Sequence, residues 1–114
     1  MNKITLKDRK DCRKEITLKD ILYITSDHIY TYIHTRNEDC TNSIRKPLNK
    51  WEEELTIDMG FYRIHKSYMI HMKHVKKVKA REVIMENNQK IPISRSKIKD
   101  FRQQYNTYIK CNKL

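Results

Sequence analysis

A serine–lysine pair near the end of the chain is the first arrangement that could carry out chemistry. Ser94 and Lys97 have the Ser-x-x-Lys spacing of a serine nucleophile assisted by a lysine. The partner motifs of the enzymes that use this pair are absent, and 114 residues are too few for their fold. The single glycine, Gly60, also excludes a glycine-rich phosphate loop, a dinucleotide fingerprint and a nucleophile elbow. We therefore expect no enzyme activity and no cofactor.

Histidines and cysteines form the second set, because their side chains are zinc ligands. The candidates are His65, His71, His74, Cys12, Cys40 and Cys111. Their spacing follows neither Cys-x-x-Cys nor His-Glu-x-x-His, so we expect no metal site. An odd number of widely spaced cysteines is also more typical of a reducing compartment than of a disulfide framework. Since the sequence has no apolar run of bilayer length and no signal peptide, we expect a cytoplasmic protein.

The positive charge of the chain comes entirely from its second half. The protein has 25 Lys and Arg against 14 Asp and Glu, a formal net charge of +11. Residues 1–60 contain 11 basic and 11 acidic residues, whereas residues 61–114 contain 14 basic and 3 acidic residues. A surplus confined to one half of a domain predicts a positive face, which implies a polyanionic partner. Nucleic acid is the first candidate, and an acidic protein or an anionic membrane surface is the alternative.

The elements that must position these residues are mainly strands. The length predicts one domain over residues 1–114. In residues 29–35, β-branched and aromatic side chains alternate between two faces, and Ser26 to His28 form a turn-like sequence before them. By the same criteria we predict strands at residues 3–7, 12–16, 21–25, 29–35, a segment ending near 45, 75–79, 83–86 and 90–94.

Two helices complete the predicted fold. Pro47 suits the first position of a helix, Leu48, Trp51 and Leu55 share one face, and Gly60 can end it in a left-handed conformation. Ser96 is a candidate N-cap for a C-terminal helix. The apolar stripe of that second helix consists of Ile98, Phe101, Tyr105 and Tyr108. We therefore predict a mostly β fold, with one short internal helix and a C-terminal helix as the minor α component.

The segment at the start of the basic half resembles the signature of a known family. Phe61 to Ile70 (FYRIHKSYMI) resembles the signature of the LytTR family of bacterial DNA-binding domains. Asp20 to Ile24 is similar to the family's entry strand, Pro47 to Leu55 to its short helix, and Ile91 to Arg95 to its late strand-to-loop motif. The resemblance covers about residues 3–109 in order and spacing.

The resemblance implies a fold and a function. LytTR domains are small stacks of antiparallel β-sheets that bind double-stranded DNA through loops in successive major grooves, often at paired direct repeats in promoters. They commonly form the output half of two-component response regulators. The resemblance therefore implies transcriptional regulation, a dimer on DNA and a possible upstream receiver domain that this chain does not contain. The sequence leaves open whether the chain is an excised domain or a standalone regulator.

Three positions would contact DNA if the resemblance extends to single residues. His28 corresponds to the first major-groove loop, Lys66 to a contact near the central backbone and minor groove, and Arg95 to the second major-groove loop. Arginine suits guanine edges, histidine can donate to or accept from a base, and lysine suits phosphate. The alternative for His28 is an exposed turn residue without a DNA contact, and the alternative for Arg95 is a basic residue that is solvated or directed at phosphate. The further candidate contacts are Arg63, His65, Lys76 and Lys97.

Two residues of the signature region carry a second interpretation. His65 is as well suited to support its loop by hydrogen bonds as to touch DNA. His71 stands where many LytTR domains have asparagine, so the sequence leaves its role open.

Overall fold

The mostly β architecture expected from the sequence is present. The computed structural model describes residues 3–7, 13–36 and 43–112 of the chain. Within these ranges the strands are β1 (Lys3–Lys7), β2 (Arg13–Thr17), β3 (Ile21–Asp27), β4 (Tyr30–Thr35), β5 (Ile44–Arg45), β6 (Phe61–His65), β7 (Tyr68–His71), β8 (Val75–Val78), β9 (Glu82–Met85) and β10 (Lys90–Pro92). The helices are α1 (Leu48–Glu54) and α2 (Ile98–Asn112), and four short 3₁₀ turns lie at Leu18–Asp20, Ile57–Met59, Met72–His74 and Arg95–Lys97.

The strands form a stack of antiparallel sheets. A central sheet has the order β5-β4-β3-β7-β6 within the described residues, a second sheet has the order β10-β9-β8, and β1 pairs with β2. Every one of these pairings is antiparallel. Strand β3 is the middle of the central sheet, because it pairs with β4 on one side and with β7 on the other.

Each face of the central sheet covers its own hydrophobic core. Neighbouring residues such as Met69 and Ile70 lie in different cores, as the period-2 alternation of a strand requires. On one face, Ile24, Ile33 and Met69 pack with Leu48, Trp51 and Leu55 from α1 and the following residue. On the other face, Leu22, Ile64 and Ile70 pack with Val83, Ile91 and Phe101 from the second sheet and α2. The central sheet is therefore clamped between two layers.

The predicted helix stripes are confirmed, but the predicted helix ends are wrong in detail. Leu48, Trp51 and Leu55 are buried as expected, with Pro47 immediately before α1 rather than inside it. Helix α1 ends at Glu54 because Leu55 leaves the helical conformation, with φ −105° and ψ 96°. Gly60 instead ends the 3₁₀ turn at Ile57–Met59, where its φ of 93° is left-handed.

The start of the C-terminal helix also differs from the prediction. Ser96 lies inside the 3₁₀ turn Arg95–Lys97, so it does not act as the N-cap of α2. The turn runs directly into Ile98, which is already helical. Phe101 is fully buried, and the rest of the predicted stripe packs beside it. Within the described ranges, no helix is long and apolar enough to span a bilayer.

A buried hydrogen-bond chain joins α1 to the central sheet. The indole N–H of Trp51 donates to Oγ1 of Thr31 at 2.8 Å, and the Thr31 hydroxyl donates to the carbonyl of Lys46 at 2.9 Å. Thr31 and Trp51 are 0% and 1% exposed, so water does not compete for these groups. The chain therefore fixes the position of α1 over the sheet.

Replacing Thr31 by valine tests whether these two hydrogen bonds stabilise the fold. We expect Thr31→Val to lower the free energy of unfolding by about 1–3 kcal/mol, because the indole N–H stays buried without its acceptor. Chemical denaturation followed by circular dichroism measures the change. In a Trp51→Phe background the same substitution costs less, since no indole donor remains. An equal cost in both backgrounds contradicts the assignment.

Candidate nucleic-acid interface

Two turns predicted to touch DNA lie side by side at one end of the central sheet. Strands β3 and β7 are antiparallel neighbours, with Thr25 opposite Tyr68. The turn after β3 and the turn before β7 must therefore emerge at the same end. The backbone N–H of Ser26 donates to the carbonyl of Ser67 at 3.0 Å, which ties the two turns together.

The third predicted position is attached to the same end through β6. The backbone N–H of Ser94 donates to the carbonyl of Ile64 at 3.0 Å. Ile64 lies two residues before Lys66, and Ser94 directly precedes Arg95. We call the β3–β4 turn, the β6–β7 turn and the 3₁₀ turn Arg95–Lys97 together the three-turn edge. Along it, the turn bearing Lys66 lies between the turn bearing His28 and the one bearing Arg95.

The first turn is one residue shorter than predicted, and it begins two residues later. Strand β3 continues to Asp27, which pairs with Tyr30, so the turn consists of His28 and Ile29 alone. His28 has a φ of 58°, and its side chain is 92% exposed. Its Nε2 atom is 3.9 Å from Oδ1 of Asp27, which is beyond hydrogen-bond distance. The imidazole therefore projects from the tip of the hairpin.

Arg63 makes hydrogen bonds to the backbone of the β6–β7 turn and to α1. Its Nη2 donates to the carbonyl of Lys66 at 2.7 Å, and its Nη1 donates to Oε1 of Glu52 in α1 at 3.1 Å. A longer contact joins Nε to the carbonyl of His65 at 3.4 Å. The Arg63 side chain is only 22% exposed. The guanidinium thus links the turn backbone to α1, while the side chain of Lys66 is exposed.

His65 supports the same turn. The backbone N–H of Ser67 donates to Nδ1 of His65 at 3.1 Å, so this ring nitrogen acts as an acceptor. The ring also meets Tyr68 edge to face, with 5.5 Å between centroids. Of the two interpretations open for His65, the structure shows the contacts of a turn support.

Lys97 and Arg95 differ in exposure although they share one 3₁₀ turn. Arg95 is exposed, whereas Lys97 is half-buried with Nζ 5.8 Å from the centre of the Tyr62 ring. The Tyr62 hydroxyl donates to Oδ2 of Asp100 at 2.7 Å. Burial is the main cause that raises the pKa of Tyr62 above its usual range. The hydrogen bond to Asp100 and the charge of this carboxylate raise the pKa further. This packing holds the 3₁₀ turn against β6.

Arg45 is a basic residue of the edge that the sequence analysis missed. It ends β5, pairs with Tyr30 and is exposed, so it lies at the same end of the sheet as His28. Only the strand register places it there, because nothing in the local sequence separates Arg45 from other surface cations.

Lys76 lies at the opposite end of the second sheet from Arg95. Its Nζ donates to Oδ1 of Asn88, in the turn between β9 and β10, at 2.8 Å. Strand β10 then runs from Lys90 to Pro92 and leads on to the three-turn edge. Lys76 is therefore separated from the edge by the length of β10 and does not join the other candidates.

His71 also lies away from the edge, at the end of β7 opposite Lys66. It is 5% exposed, its Nδ1 donates to the carbonyl of Ile21 at 3.0 Å, and its ring stacks on Phe61 with 4.3 Å between centroids. A Cβ atom on Gly60 would come within 3.3 Å of the His71 ring. The structure thus gives His71 a place in the core. Among residues 3–7, 13–36 and 43–112, no three His, Cys, Asp or Glu side chains are grouped to hold a metal ion.

Comparisons with known proteins show which family the chain resembles. The family model described as the LytTr DNA-binding domain matches residues 11–106. The transcriptional regulatory protein LytR from Staphylococcus aureus strains N315 and USA300 is 36% identical to the chain over 89 residues. The aligned part covers 74% of this chain and 35% of LytR, so the chain spans about a third of the length of these relatives.

A solved structure has the same fold. A LytTr DNA-binding domain from Bacillus cereus superposes with a TM-score of 0.75 at 23% sequence identity. The superposition covers 91% of this chain and 96% of that domain. The stack of antiparallel sheets and the C-terminal helix are thus shared between the two proteins.

His71 makes the stability of the fold depend on pH. The pKa of His71 is lowered to about 4, mainly by burial. His74 and Lys73 lower this pKa further. The hydrogen bond to the Ile21 carbonyl and the charge of Glu86 raise it in part. In the unfolded chain the imidazole of His71 binds a proton near pH 6.5, whereas in the folded chain it stays neutral down to about pH 4. The free energy of unfolding therefore decreases as the pH falls from 6.5 towards 4. This histidine alone accounts for a loss of about 2 kcal/mol between pH 7 and pH 5.

The variant His71→Asn isolates this contribution. We expect its free energy of unfolding to fall less than that of the unmodified protein between pH 7 and pH 5, by about 2 kcal/mol. Urea denaturation at both pH values measures the difference. Parallel pH dependence in the two proteins contradicts the assignment, whatever the absolute stability of the variant.

Proposed function

Since this chain belongs to the LytTR family of DNA-binding domains, we propose that its three-turn edge recognises specific duplex sequences in promoters and thereby regulates transcription. The observation that supports this most directly is the convergence of His28, Lys66 and Arg95 on one end of the central sheet. Three exposed polar or basic side chains from distant parts of the chain meet there on a backbone held by hydrogen bonds. The family is one of DNA-binding domains and not of enzymes.

The order of the turns supports a division of roles. We assign His28 and Arg95 to base edges in two successive major grooves, and Lys66 to the backbone and minor groove between them. Neighbouring strands lie about 4.8 Å apart, so the two hairpin turns are separated by about 10 Å, with Arg95 beyond. The position of Lys66 between the other two fits a cation that meets the phosphates between two grooves. Arg45 extends the same basic edge past His28.

The remaining candidates take other roles in this proposal. Arg63 and His65 position the β6–β7 turn, because their polar atoms already bind its backbone. Lys97 holds the 3₁₀ turn through Tyr62 and adds charge beside Arg95. Lys76 lies outside the interface, at the far end of the second sheet.

The proposal extends to the arrangement on DNA. We propose that two copies occupy paired direct repeats, and that a receiver domain controls their pairing if the chain is the output half of a response regulator rather than a standalone regulator. The aligned part covers 35% of the LytR regulators, so those relatives contain further sequence in which a controlling domain has room.

Selection from a randomised duplex library tests the proposed function directly. A spaced direct repeat enriched in the presence of excess random DNA is the expected result. A basic module that docks on acidic proteins or anionic membranes would bind all duplexes alike and enrich no sequence. Enrichment of a single unrepeated site would support DNA recognition and contradict the direct-repeat arrangement.

Single substitutions separate base contacts from phosphate contacts. We expect Arg95→Ala to cost about 1–3 kcal/mol on the selected site and to relax preference at one or two base pairs. Lys66→Ala is expected to weaken binding to all duplexes and to reduce the slope of log K against log salt by about 1. Fluorescence anisotropy at several salt concentrations measures both effects.

Lys76→Ala is the matched control for these substitutions. It removes one positive charge at the far end of the second sheet, so affinity and salt slope should stay within error of the unmodified protein. A salt slope that falls equally for Lys66→Ala and Lys76→Ala contradicts the placement of the interface. A flat plot of log K against log salt for the unmodified protein would contradict DNA binding itself.

Arg63→Lys tests the positioning role. Lysine keeps the charge but cannot make the three planar contacts to Glu52 and to the turn carbonyls. We expect roughly fivefold weaker binding with an unchanged salt slope, together with faster amide exchange in the β6–β7 turn. Unchanged amide exchange with a reduced salt slope would make Arg63 a phosphate contact instead.

A further inference from the structure

The tip of the first turn carries an apolar side chain that is exposed to solvent. Ile29 is 43% exposed, and within the described ranges only Ile57 and Met59 are comparable large apolar residues in solvent. The turn has two residues, His28 and Ile29, between the paired residues Asp27 and Tyr30. Two-residue hairpin turns prefer glycine, asparagine and aspartate, because these residues tolerate the required backbone angles. His28 departs from that preference at the left-handed position of the turn, and Ile29, which is not left-handed, places a large apolar side chain in solvent beside it.

Another tight turn of the same protein does follow it. Between β9 and β10, Asn88 takes the left-handed φ of 69°, and Asn87 accepts a hydrogen bond from the backbone N–H of Gln89 at 3.1 Å. His28 has a similar φ of 58° but has no such local bond to its own turn among the contacts described. Departures from local turn preference are expected where a site requires particular side chains. The β3–β4 turn is therefore built for what its side chains contact.

We propose that Ile29 reads the C5-methyl group of a thymine in the major groove entered by the β3–β4 turn. The inference rests on the proposed function, because it takes this turn to lie in a major groove. An isoleucine side chain has no donor or acceptor, and the thymine methyl is the apolar feature that a base pair presents there. His28 then supplies the hydrogen bond and Ile29 the apolar contact.

The spacing of the two residues suits neighbouring base pairs. Consecutive Cα atoms are about 3.8 Å apart, and stacked base pairs rise by about 3.4 Å. The tip thus addresses one or two adjacent base pairs, at least one of which contains thymine. Ile29 is consequently a specificity-determining residue for one step of the binding site.

Replacing thymine by uracil in the selected duplex tests this inference with a change of one methyl group. Each thymine of the site is replaced in turn, and affinity is measured by fluorescence anisotropy. For the unmodified protein we expect one replacement to weaken binding about fourfold, the effect of leaving one methyl group unburied. Ile29→Ala should bind the thymine and uracil duplexes alike.

Two further variants separate contact from folding. Ile29→Asn installs a preferred turn residue, so it should raise or keep the thermal midpoint while it loses the response to uracil. Ile57→Ala removes another exposed isoleucine, in the 3₁₀ turn before β6 and at the opposite end of that strand from Lys66, and should keep the full response.

The outcomes distinguish this inference from the proposed function. If the unmodified protein prefers one duplex but responds to no uracil replacement, or if Ile29→Ala keeps the response, Ile29 does not read a thymine methyl. If Ile29 instead inserts as a wedge between base pairs, the unmodified protein would respond to no uracil replacement. Ile29→Ala would then lose affinity equally on the thymine and uracil duplexes. If the unmodified protein prefers no duplex, the proposed function itself is wrong.

Discussion

The pairing of β3 with strands on both of its sides is the constraint on which the rest of the structure depends. β4 and β7 both run antiparallel to β3, so the turn after β3 and the turn before β7 emerge at one end of the sheet. The same pairing sets which side chains enter each core. A slip of β3 by one residue would turn Ile24 to the wrong face, away from Ile33, and would separate Ser26 from Ser67. Core packing and the arrangement of the three-turn edge are therefore two consequences of one register.

The two ends of the central sheet use similar residue types for different purposes. At the three-turn edge, the exposed side chains include those of His28, Lys66 and Arg95, and the backbone of the β6–β7 turn is held by Arg63 and His65. At the other end, His71 is buried in the core and hydrogen-bonded to the backbone. An interface that reads base edges needs fixed backbones and free side-chain tips, since misplacement of the contacts reduces specificity. Burial separates the two uses of histidine, because a buried imidazole is kept neutral and structural.

Much of the fold was predictable because its signals are local. Alternating β-branched and aromatic residues identified most of the strands but not β6 and β7, and the spacing of Leu48, Trp51 and Leu55 identified the buried face of α1. Element ends were harder, since they depend on contacts made elsewhere: Gly60 ends a 3₁₀ turn, and Ser96 lies inside one. The three edge positions came from resemblance to a family rather than from residue chemistry. Nothing in the local sequence indicates that the Arg63 side chain binds the turn backbone or that Arg45 lies at the same end of the sheet as His28. Both follow from strand pairing.

The +11 charge and its confinement to residues 61–114 are properties of the sequence alone, and they point to a polyanion before any fold is known. The β-rich class and the family signature are equally readable without coordinates. Only the tertiary structure decided which of the candidate side chains lie at the same end of the fold: it brought His28 from the neutral half to the end that carries Lys66 and Arg95, and it left Lys76 at the far end of another sheet. The physical reason is that charge and periodicity are encoded in neighbouring residues, whereas a binding edge is assembled by backbone hydrogen bonds between strands far apart in the chain.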